Sequence, residues 1–157
     1  MRLERPKQRA HLVSPPMPPN FDLSWKWKIA SGTNSGLKYR VRPSSNLLYD
    51  NQYLGVEYQI IDDAKNLKLK KSNASAAQAQ VATAAIYGLV EASQDKVLNP
   101  AGQWNQARVV AKGNEIKHYL NGQLVASGTV GSFAWEVAIN KSKFYGCLLY
   151  TSPSPRD

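Results

Sequence analysis

The sequence holds one cysteine, Cys147, so no disulfide can close within the chain and no thiolate cage can form around a metal. Histidine is almost as scarce: His11 and His118 stand too far apart in sequence to make a local metal pair. No run approaches the roughly 18 consecutive apolar residues of a membrane span. A Gly-rich phosphate loop, HExxH and GxSxG are all missing, which removes the parts for nucleotide hydrolysis, zinc proteolysis and α/β-hydrolase catalysis. A secretory signal is not visible either, because the basic N-terminus runs into HLVSPPMPPN, where four prolines replace the apolar segment that export needs.

Acidic residues are few, 11 Asp+Glu against 20 Lys+Arg, for a net charge of +9. Such a balance attracts nucleic acid or an anionic surface when it is gathered on one face. Here Arg2, Arg5, Lys7 and Arg9 crowd the N-terminus, Lys65, Lys68, Lys70 and Lys71 share one short stretch, and the rest is close to neutral. A solvated lysine loop explains the second cluster, so no nucleic acid partner is expected.

What is present suffices for one domain: 157 residues, 43% hydrophobic and 10% aromatic. Residues 1–20, charged and then Pro-rich without any period, read as a disordered or extended arm, either a non-native extension or a frayed native terminus. Residues 147–157, CLLYTSPSPRD, resemble the translated read-through of a sequencing adapter and read as a non-native tail, which makes the chain a fragment. The domain is thus expected over 21–146.

Within it the period is mostly 2. Phe21, Leu23, Trp25, Trp27 and Ile29 alternate with Asp22, Ser24, Lys26 and Lys28, a strand with both tryptophans in the core. SGTNSG at 31–36 reads as a turn, followed by a strand over 37–42 and another over 54–61. The Ala-rich stretch 72–86 is a short helix or an ordered loop, IYGLVEAS a brief strand, and NPAGQWNQ a loop. Gly113-Asn114 and Asn121-Gly122 mark tight turns between strands at 107–112, 115–120 and 123–127. Long early strands, late hairpins and little helix predict an all-β sandwich of two antiparallel sheets.

The segments TNSGLKYRV (33–41), GVEYQIIDD (55–63), AAIYGLV (84–90), GQWNQARVVAKGNEIKHYLNGQLV (102–125) and SKF (142–144) resemble, in that order, the 3-keto-disaccharide hydrolase domain family. The resemblance covers about residues 21–146. It implies a concanavalin A-like jelly-roll sandwich, incomplete here at its termini, from bacterial proteins that are periplasmic or secreted. The implied substrate is a di- or oligosaccharide oxidised to a ketone at sugar C3. That ketone acidifies the C2 proton, so a base can remove it and the glycosidic oxygen leaves by β-elimination, with hydration completing a net hydrolysis.

That chemistry needs a base, donors for the enolate oxygen and an acid for the leaving oxygen, and the sequence offers candidates for each, of which Arg40, Glu57 and Gln59 match family positions. Glu57 or His118 would be the base, Arg40 and Gln59 would hold oxygens, and Asp62 would orient a partner. Tyr87 and Trp104 would wall the sugar ring. A divalent metal held by His118 and carboxylates is an alternative to the organic donors. Each residue also has a plainer reading. Glu57 beside Gln59 is the pattern of a solvated sheet face, His118 shares parity with Ile116 and Leu120 as a structural histidine would, and Trp104 is as well suited to the core as to a ligand wall. Family members continue after SKF with a final strand bearing a QDHG-like motif, where this chain has CLLYTSPSPRD. A second functional reading is a non-catalytic carbohydrate-binding sandwich.

Overall fold

The computed structural model describes residues 12–43, 53–66 and 80–144, with β1 Phe21–Trp27, β2 Asn34–Pro43, β3 Tyr53–Ile61, β4 Asn105–Lys112, β5 Glu115–Leu120, β6 Gln123–Thr129 and α1 Phe133–Asn140. His11, Cys147 and the lysines at 68, 70 and 71 lie outside the described residues. The chain is nearly all-β and forms two antiparallel sheets, as the alternation predicts. Sheet A has the order β1-β4-β5-β6, and sheet B pairs β2 with β3.

Alternation decides which side of each strand is buried. In β4, Ala107, Val109 and Ala111 are buried between exposed Gln106, Arg108 and Lys112, and β1 shows the same rhythm up to the buried Trp27. The inner face of sheet A meets Tyr39, Val56, Tyr58 and Ile60 from sheet B in one core. Aromatic edges join the layers: Trp25 meets Tyr58 at 5.1 Å and Phe21 meets Tyr39 at 5.6 Å between ring centroids. The Tyr58 hydroxyl donates to the Tyr119 carbonyl at 3.1 Å, and burial holds that phenol protonated well beyond its usual range.

Several boundaries differ from the sequence expectation. Asn34, Ser35 and Gly36 belong to β2 rather than to a turn, in register with Ile61, Ile60 and Gln59. Hydrogen bonding to a neighbouring strand overrides their turn propensity. Ile86–Val90 is not a strand but a tight turn: Ile86 and Val90 bridge each other, and the backbone of 84–87 runs beside β3 through Ala84 N–H to Gln59 O (2.9 Å) and Tyr87 N–H to Glu57 O (3.0 Å). Of the Ala-rich stretch, 80–86 shows turns and a bridge, and 72–79 lies outside the described residues. The sequence reading missed α1. Its signals were there: Ser132 caps it by accepting from the Trp135 N–H at 3.3 Å, and the buried Trp135 and Ile139 stand four residues apart.

Candidate functional site

The face of sheet B turned away from the core gathers most of the chemistry. Tyr58 and Ile60 point inward, so Glu57 and Gln59 point outward between them. Lys38 lies opposite Glu57 in β2, Gly36 lies opposite Gln59, and Tyr87 follows Glu57 on the other side. Glu57 therefore sits mid-row, between a lysine and a tyrosine.

Gly36 explains how the carboxylate is seated. A Cβ placed there would overlap Glu57 Oε1 and come within 2.9 Å of its Cδ. The missing side chain is the space the Glu57 carboxylate occupies. Gln59 is 2% exposed and donates from Nε2 to the Val81 carbonyl at 3.5 Å. Beyond Tyr87, the Lys143 ammonium lies 4.5 Å from its ring centroid and 3.4 Å from its hydroxyl, and Phe144 packs edge-on to the same ring at 6.5 Å. Lys38 and Lys143 were not singled out as site residues in the sequence, and Gly36 was read only as part of a turn and of the NSG motif. Alternation from Glu57 could have found Lys38, but seeing Gly36 beneath the carboxylate needs the cross-strand register.

The two aspartates that end β3 work as staples. Asp62 Oδ2 accepts from the Gly32 N–H at 2.8 Å and the Ser31 hydroxyl at 3.2 Å, and Oδ1 accepts from the Ala64 N–H at 3.1 Å. These donors, the Gly32 N–H foremost, hold the carboxyl below its usual range. Asp63 faces the other way, accepting from the Thr83 N–H at 2.9 Å and pairing with Lys96 at 3.1 Å. One carboxylate thus ties β3 to the loop after β1, the other to the chain beside it.

His118 stands between the sheets with no exposed surface. Its Nδ1 is 2.9 Å from the Ala84 carbonyl, which only accepts, so Nδ1 carries the proton and Nε2 accepts from the Tyr39 hydroxyl at 2.7 Å. Burial lowers its pKa from 6.5 to about 4, so the ring is neutral near pH 7. Both nitrogens are engaged, and among the described residues no three His, Cys, Asp or Glu converge as metal ligands. The residues described do not fit the metal alternative, and no step is routed through one.

Arg40 and Trp104 also lie away from the Glu57 row. A bulge between Tyr39 and Arg42 inserts one extra residue into β2, and Arg40 takes φ +50° there. Its guanidinium leaves the Lys38 face and donates to the Pro19 carbonyl at 3.2 Å and to Gly113 O at 2.6 Å, in the β4–β5 turn of sheet A. Trp104 precedes β4 on the parity of Gln106, outside sheet A, with the whole core between it and Glu57. Of the seven sequence candidates, the structure brings together Glu57, Gln59 and Tyr87, and sets Asp62 at the end of their strand.

A curated 3-keto-disaccharide hydrolase from Bacteroides thetaiotaomicron is 26% identical over 134 residues, covering 80% of this chain and 44% of that protein. Two solved structures of candidate glycosyl hydrolases from Parabacteroides distasonis superpose with TM-scores of 0.68 and 0.55 at 28% and 33% identity. They cover 84% and 71% of this chain, but only 58% and 52% of their own. The chain thus spans about half the length of the relatives it matches. The model of the 3-keto-alpha-glucoside-1,2-lyase-like domain matches residues 3–150, nearly the whole sequence. The chain belongs to that domain family.

Proposed function

We propose that this chain supplies the Glu57 face of an enzyme that cleaves the glycosidic bond of 3-keto-disaccharides. The observation that carries the reading is the Glu57 carboxylate, set over the bare backbone of Gly36 with Tyr87 next in the row. The half-buried Glu57 carboxylate on the outer side of sheet B can be met by a sugar C–H; an imidazole sealed in the core cannot. Position thus supports Glu57 over His118 as the base.

In this mechanism Glu57 takes the C2 proton, and the C–H electron pair forms the enolate with the C3 carbonyl. The enolate then re-forms the ketone, a C1–C2 double bond develops, and the glycosidic oxygen leaves from C1 with a proton. Water adds back at C1 and a proton at C2, so the net result is hydrolysis; release of the enone before that addition makes the enzyme a lyase. The Lys143 ammonium beside the Tyr87 hydroxyl supplies positive charge at the edge of the face, where a developing oxyanion needs it. Asp62 acts indirectly, by fixing the end of the strand that carries Glu57.

The test is sugar release from a 3-keto-disaccharide by the purified chain and by Glu57→Gln. Loss of the base is expected to cost about 10²–10⁴ in kcat with the fold intact. Turnover that survives the substitution removes Glu57 from the role. Saccharide binding without turnover by either protein moves the reading to a non-catalytic carbohydrate-binding sandwich.

A further inference from the structure

We propose that the outer face of sheet A carries a separate saccharide site, built on Trp104 and selective for sugars that bear an acidic group. A cleft of about 440 Å³ opens there, lined by Lys26, Trp104, Asn105, Gln106 and Asn121. That size lies in the roughly 300–1,000 Å³ range of small-molecule sites. Trp104 is 59% exposed, while Trp27 and Trp135 are buried at 7% and 2%.

The exposure is held in place. Asn99 Nδ2 donates to the Trp104 carbonyl at 2.8 Å, Asn105 Nδ2 donates to the Asn99 carbonyl at 3.1 Å, and Asn121 Nδ2 donates to Asn105 Oδ1 at 2.9 Å. The loop is further tied to the chain just past β1 by the Gly102 N–H on the Ile29 carbonyl at 2.9 Å. A side-chain network of this kind keeps the indole in water on a rigid support, which lowers the ordering cost of binding.

The surroundings decide the ligand. The C–H face of a pyranose matches an indole face, and the Gln106 amide offers a donor and an acceptor to ring hydroxyls. Two cations flank the site: the Lys28 ammonium lies over the ring, 5.1 Å from its centroid, and Lys26 lines the cleft opposite Gln106. Among the described residues, no carboxylate lines the cleft to neutralise them. Flat apolar surface with two ammonium groups suits a uronic acid better than a neutral sugar. The site lies across the core from Glu57 and does not depend on that residue's role.

The test uses the whole chain labelled with ¹⁵N, whose four tryptophan indole N–H groups give separate signals, titrated with the tetramer of galacturonic acid, with neutral cellotetraose and with an eight-residue oligothymidine. The expected result is a saturable shift of the Trp104 signal by tetragalacturonate, weakening as salt rises. Binding should fall about tenfold in Trp104→Ala, the equivalent of about 1.4 kcal/mol. It should fall in Lys26→Gln/Lys28→Gln and persist in Glu57→Gln, with thermal unfolding of each variant showing an intact fold. The proposal is overturned if tetragalacturonate does not bind, if cellotetraose or the oligonucleotide binds as well, or if Trp104→Ala binds like the parent. Loss of turnover in Glu57→Gln with Trp104 binding intact keeps the two sites distinct.

Discussion

His118 shows how a single residue links the core to pH. In the unfolded chain its pKa is near 6.5; in the fold it is lowered to about 4 because burial penalises the charged ring. Between those values the unfolded state binds the proton and the folded state does not, so stability falls as pH drops from 6.5 towards 4 and levels off below. The shift corresponds to at most about 3 kcal/mol. Urea unfolding at pH 7.5 and pH 4.5 should show the loss in the parent, and His118→Gln should remove that component while lowering stability at both pH values. An equal acid loss in the variant would assign it to other groups. Gly36 makes the complementary case, a residue whose importance is to be small. In Gly36→Ala the new Cβ must displace the Glu57 carboxylate, the mobile end of a side chain, so unfolding free energy should stay within about 1 kcal/mol of the parent. Turnover of a 3-keto-disaccharide should fall nearly as far as in Glu57→Gln. Full activity would show that the carboxylate need not rest over Gly36.

At the scale of elements, alternation made six strands legible, because period 2 is imposed by the pleat of each strand alone. What stayed hidden depends on a partner. The NSG segment has turn chemistry, yet in register with Ile61–Gln59 it extends β2. Arg40 has the parity of Lys38 in sequence, but the bulge turns it to the Pro19 and Gly113 carbonyls, and a bulge is defined by two strands together. His118 was readable as inward-facing, whereas its full burial needed the second sheet. Glu57 and Gln59 could be placed on one face because strand alternation alone sets their parity, whereas Tyr87 comes beside them only through the turn that lies along β3. The bulge also yields a test. A Cβ on Gly55 would lie 2.8 Å from the Tyr39 carbonyl oxygen and 3.2 Å from Val41 Cα, both backbone atoms that cannot swing aside. Gly55→Ala should therefore cost about 1–3 kcal/mol in denaturant unfolding, in contrast to Gly36→Ala. A neutral result would mean that the two strands separate there at little cost.

Across the whole molecule, chain order and sheet order do not coincide. β1 pairs with β4, Phe21 opposite Ala111, after the intervening chain has built sheet B. Sheet A therefore closes only when β1 meets a strand some eighty residues later in the chain, and its central strands β4 and β5 have partners on both sides. Among the described residues, β2 is paired along β3 alone, and β3 is flanked on its other side by the short 83–87 stretch. Local opening should follow that difference, since strands with two neighbours and full burial open only with the global transition. In native-state hydrogen exchange, the paired amides of Val109, Ile116, His118 and Leu120, all fully buried, should be the slowest, with opening free energies that approach the global value. Amides at the bulged end of β2 and in the 86–90 turn should exchange through smaller openings. The Glu57 face is then the more easily opened layer, mounted on a stiffer one, so that Glu57 and Tyr87 can shift without loosening the core. Equal protection across both sheets would instead show that the molecule opens as a single unit, and Glu57 would stand on a face as rigid as the core behind it.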